Sequence, residues 1–230
     1  MNELVTRITL LVRRVSYMCF LSLLVATVSA ERRAGSSNDF DHLIPVDSIM
    51  DPAYEKLLAM RLFIGSTDML RIIVVPSSAS GEMGIAIRQS RTDGSDDMIV
   101  ICTQAKKNLW SAAVDTNRNI VRNPAINTNR SEAPLPKSEA IAVIASIKRV
   151  LQRTRRPTKT ERVIEDATLV EFSVVNEKGG TTRGLLNPNA YGKSATALRR
   201  LVQLLEAYCR AKPEERSELL KKLDAVAKGI

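Results

Sequence analysis

A catalytic triad or a histidine-based acid and base needs an imidazole that titrates near neutral pH, and this chain of 230 residues carries one histidine and three cysteines. His42 falls in a stretch, 31–48, that mixes charge, glycine and serine without periodicity, so no element is expected to hold it against a substrate. Cys19 belongs to an apolar leader. Cys102 ends the run Met98-Ile99-Val100-Ile101, and Cys209 lies on the apolar stripe of a predicted helix, so both are expected to face the core. No cysteine–histidine cluster has the spacing of a zinc site, and no glycine-rich loop has the form that cradles phosphates. The chain is therefore read with neither a metal nor a cofactor.

Carboxylates are the remaining catalytic groups, because glycoside hydrolysis needs only two of them across a bond, one kept protonated. Glu165, Asp166 and Glu171 are the candidates. Glu171 is expected on the solvated face of a strand, with Glu165 and Asp166 at its entrance, where acidic residues cap turns. The densest charge is cationic. Lys148, Arg149, Arg153, Arg155, Arg156, Lys159 and Arg162 run from the end of a predicted helix into the loop behind it. Cations at a helix C-terminus complement its dipole, which accounts for part of the run, and the excess forms a surface for an acidic partner. Aromatic side chains that would stack on bases are absent from the segment, which argues against nucleic acid. Trp110, the sole tryptophan, reads as core.

These groups must be positioned by the elements around them, and the best specified of those fill 166–209. Val170, Phe172 and Val174 alternate with polar residues as in a half-buried strand, and Asn176 to Gly180 reads as a tight turn. Residues 181–186 return as the antiparallel partner. Leu198, Leu201, Val202, Leu205 and Cys209 then recur at helical spacing and make a stripe suited to covering the hairpin. Upstream, the pattern predicts a helix from about 52 to 60, a buried strand at 70–75 and a hairpin of 83–89 with 98–103, to which 109–114 adds a strand. The five asparagines and three prolines of 115–137 read as a long connection. A helix capped by Ser138 follows, with Ile141, Ile144, Ile147 and Leu151 toward the core, and a last helix occupies 213–228.

At the N-terminus, Arg7, Arg13 and Arg14 precede an apolar run that ends in Val28-Ser29-Ala30, the form of a secretory signal peptide cut after Ala30. The formal net charge of the whole chain is +9, and removing the leader leaves it basic. Two cysteines then remain, and an even count in an oxidising compartment makes Cys102 and Cys209 a candidate disulfide. The organisation expected is a signal peptide over 1–30, a flexible tether over 31–50 and one α+β domain over 51–230. Its antiparallel sheet has about five to six strands, covered by a middle helix and C-terminal helices. The function expected is that of an exported, non-catalytic binding or inhibitor-like module whose partner is an anionic envelope component or another protein. Hydrolysis of an envelope polymer by carboxylates is the alternative.

Overall fold

The computed structural model describes residues 42–46, 52–63, 67–77, 80–90, 97–113, 126–156, 168–176, 179–186 and 192–230. All of them belong to the compact unit that runs from Phe40 to Ile230. The leader, Lys159, Arg162, Glu165 and Asp166 lie outside the described residues.

The fold is α+β, built on one antiparallel sheet of seven strands. These are β1 (Leu43–Ile44), β2 (Asp68–Val75), β3 (Met83–Gln89), β4 (Met98–Ala105), β5 (Thr128–Leu135), β6 (Leu169–Val175) and β7 (Thr181–Leu186), in the order β1-β7-β6-β2-β3-β4-β5. Three helices, α3 (Lys137–Leu151), α4 (Lys193–Arg210) and α5 (Pro213–Gly229), pack on the face that carries Ile72, Ile85, Val100 and Phe172. The opposite face, with Ile73, Ala86 and Ile101, is covered by α1 (Pro52–Leu62) and α2 (Leu109–Ala113). Alternate residues of each central strand thus enter two separate cores, which explains why β2, β3 and β4 read as nearly continuous apolar runs.

The hairpin of β6 and β7 forms as expected, in the register Phe172↔Gly184, and the predicted stripe of α4 is buried throughout. Gly179, at φ +78°, supplies the turn's left-handed residue, and the Asn176 side-chain oxygen accepts the Gly180 N–H at 2.8 Å.

The sheet has slightly more strands than the five to six expected, and the two at unexpected places, β1 and β5, come from stretches where the sequence carries little period. β1 is two residues long and sits within the stretch read as a tether, paired through Leu43↔Leu186. β5 lies in the segment read as a connection; Pro134 pairs with Ile99 there because β5 is the sheet's edge, where a missing N–H is tolerated. Residues 109–113, expected to be a strand, form α2 instead. The Asn108 side-chain oxygen accepts the Ser111 N–H at 2.8 Å and starts the helical turn.

In α3 the buried face is Ala140, Val143, Ile147, Val150 and Leu151, while Ile141, expected inward, is 51% exposed. Packing against a second helix decided this. Ser146 is small and buried, and its hydroxyl donates to the Ala227 carbonyl at 2.8 Å, which brings the end of α5 against this face. Ser138 does not cap the helix: the N-cap is Pro136, and the Ser138 hydroxyl donates to Glu139.

Candidate functional site

The basic run begins in the last turn of α3, with Lys148 and Arg149, and its later members are placed by main-chain bonds. Arg153 N–H donates to the Val150 carbonyl at 3.0 Å and Thr154 N–H to the Leu151 carbonyl at 3.1 Å, which tightens the helix end. Arg155 N–H then donates to the Leu43 carbonyl at 3.1 Å and ties the outgoing chain to β1. Gly184 of β7 lets these parts approach. A Cβ there would stand 2.8 Å from Leu151 Cδ2 and 3.1 Å from Leu43 Cβ.

The result is a cleft of about 230 Å³ between β1, the end of α3 and the start of α4, lined by His42, Val150, Arg153, Arg155 and Ser194. Among the described residues no carboxylate pairs with Arg153 or Arg155. The first turn of α4, an 18-residue helix, points the same sign of charge at this place. It contains no acidic residue, and its N-cap is Gly192, which brings no side-chain cap. Two arginines beside the N-terminal end of a helix make the cleft electrostatically suited to an anion.

Of the predicted basic residues, Arg153 and Arg155 line this cleft, whereas Lys148, Arg149 and Arg156 are not part of its lining. His42 and Ser194 were not legible as its residues. His42 is 7% exposed and lies next to β1, so the stretch expected to be a tether delivers it to the domain. No sequence signal announces a two-residue strand, and Ser194 looks like any residue in a helix's first turn.

Of the three expected carboxylates, Glu165 and Asp166 lie outside the described residues, and Glu171 is not where it was expected. Glu171 is 3% exposed, not solvated, and faces α1 rather than water. It accepts from Arg183 Nε at 2.7 Å, and Arg183 also reaches Glu55 at 2.7 Å. The hydrogen bond to Glu171, followed by that to Glu55, offsets burial and holds the Arg183 guanidinium firmly charged. A similar cluster lies on the same face, where buried Asp68 meets Arg71 Nε at 2.9 Å and Arg88 Nε at 3.3 Å.

Sequence reasoning also missed Glu82, which is fully buried. It accepts from the Tyr54 hydroxyl, from Leu109 N–H at 2.6 Å and from Trp110 N–H at 3.4 Å, and so fastens α2 to α1. Burial and the bond to Glu82 push the Tyr54 hydroxyl well above its ordinary pKa. Trp110 meets Tyr54 edge to face with 5.0 Å between ring centres, but it is 40% exposed, so only one side of it is core.

Cys102 and Cys209 are both buried and are free thiols in this structure. Cys102 pairs in register with Ser131, and Cys209 Sγ lies 3.1 Å from the Ser131 carbonyl oxygen and 3.6 Å from that of Val100. The neighbouring Cys209 thiol and then burial push the Cys102 thiol up, while the Cys102 thiol draws Cys209 down. Among the described residues no group of three or more His, Cys, Asp or Glu is placed to hold a metal ion, and no helix is long and apolar enough to cross a membrane.

Fold and cleft together define an antiparallel α+β protein with helices on both faces and a basic cleft at the edge of its larger helical layer. No known family, no curated protein and no solved structure matches the chain.

Proposed function

We propose that the protein is an exported, non-catalytic binding module that recognises an anionic group of the cell envelope through the cleft lined by Arg153 and Arg155. The observation that carries this reading is a pair of arginines at a concave site where, among the described residues, no acidic side chain neutralises them. Arginine presents a rigid fork of donors that matches carboxylate and phosphate oxygens, so such a pair favours an anion over other solutes. The hydrolase alternative is weakened by the burial of Glu171 in an ion pair with Arg183, because a general acid has to be reachable by the bond it protonates.

Export rests on the leader, and it has a consequence for the core. In an oxidising space Cys102 and Cys209 close into a disulfide by exchange with an external disulfide, whose S–S bond breaks as it takes up the two electrons and both thiol protons to leave as two thiols.

The test is sedimentation of the secreted protein with native envelope material across a range of salt. Binding is expected to fall steeply as salt rises, since exposed charges are screened over about 8 Å at physiological ionic strength. The double substitution Arg153→Gln and Arg155→Gln is expected to abolish it without lowering the melting temperature, because both side chains are exposed. Undiminished binding of that variant at low salt would refute the reading.

A further inference from the structure

We infer that the group held in this cleft is a phosphate monoester, an inference that rests on the anion-binding reading above. Charge and shape carry it together. Arg153 and Arg155 contribute two positive charges, and the N-terminal pole of α4 adds a partial one. A carboxylate or a phosphodiester brings one negative charge and leaves an excess of positive charge in the cleft. A phosphate monoester brings nearly two at neutral pH, together with three acceptor oxygens.

Three oxygens also suit the donors. The lining includes Arg153 and Arg155, which come from different points of the turn after α3, and each guanidinium carries a fork of donors. A planar carboxylate satisfies one fork in bidentate fashion and offers the second little. A tetrahedral group presents oxygens in more than one direction. His42, buried beside β1, and Val150 complete the lining. A volume of about 230 Å³ leaves room for a few carbons of whatever carries the phosphate. A concave site of that size is also suited to a terminal group and not to a continuous polyanionic backbone.

The experiment is isothermal titration of the secreted protein with glycerol 3-phosphate, dimethyl phosphate and acetate at pH 7.5, with glycerol 3-phosphate repeated at pH 5.5. Glycerol 3-phosphate is expected to bind at least about tenfold more tightly than either monoanion, since each of them gives up a charge-assisted contact. At pH 5.5 its affinity is expected to drop about fourfold, because the second ionisation of a phosphate monoester lies near pH 6. Arg153→Gln and Arg155→Gln are each expected to cost at least about tenfold in affinity for the monoester. Equal binding of glycerol 3-phosphate and dimethyl phosphate, both lost in the arginine variants, would overturn the monoester inference and leave the anion-binding reading standing. No binding of any of the three would overturn both. Pelleting of the protein with vesicles containing phosphatidic acid, but not with vesicles of phosphatidylcholine alone, would support the inference and place the monoester on a lipid. Binding confined to soluble glycerol 3-phosphate would support it for a soluble ligand.

Discussion

At the scale of single residues, the charged groups of this protein divide into two populations. Asp68, Glu82, Arg88 and Glu171 are buried and serve the fold, while Arg153 and Arg155 are exposed at a cleft. Removing one member of a buried pair leaves an uncompensated charge, so Arg183→Leu is expected to cost about 3 kcal/mol, read as a shift in the urea unfolding midpoint. Anion affinity below the melting temperature is expected to stay the same, because Arg183 faces α1 on the other side of the sheet. Glu82→Ala strands the N–H of Leu109 and the hydroxyl of Tyr54, and is expected to lose about 3 kcal/mol, or about 6–12 °C in melting temperature. Neither group was legible in the sequence. Glu171 alternates with apolar residues as a solvent-facing strand residue does, and only the helix laid over that face turns it into a buried ion. The basic run was legible as charge, but which two of its residues meet at a cleft depended on a carbonyl of Leu43, more than a hundred positions away.

At the scale of elements, β6, β7 and α4 were readable because period, turn chemistry and helix stripe agree over one contiguous stretch. β1 and β5 were not, since one is too short to show a period and the other carries Pro134 at an edge. These late-recognised pieces matter to the site. β1 supplies the wall on which Arg155 is anchored, and Gly184 lets it close against α3. Gly184→Ala is expected to destabilise the protein by about 1 kcal/mol and to weaken anion binding as well, since Leu43 Cβ cannot swing aside as Leu151 Cδ2 can. Calorimetric melting and ligand titration on the same sample measure both. At the opposite end of α4, the proposed bridge from Cys102 to Cys209 would fasten the helix to β4. Protein isolated from its native host is expected to resist alkylation at both positions when unfolded without reductant, and to be stabilised by roughly 4 kcal/mol over its reduced form. Two alkylated thiols in the unreduced, unfolded protein would contradict the bridge.

At the scale of the whole molecule, a sheet covered on both faces hides its central strands, so recognition is left to helix ends and loops at the margins of the layers. The formal net charge of +9 draws anions toward the molecule in general, but only a site that concentrates donors can select among them. The central claim is thus a claim about location: the anion sits between β1, α3 and α4. It is tested most directly by following backbone amide resonances of the protein during titration with glycerol 3-phosphate. The largest shifts are expected at His42, Arg153, Arg155 and Ser194, saturating together with one dissociation constant. Small shifts spread over the lysines of α5, or shifts centred on Arg71 and Arg183, would contradict the account.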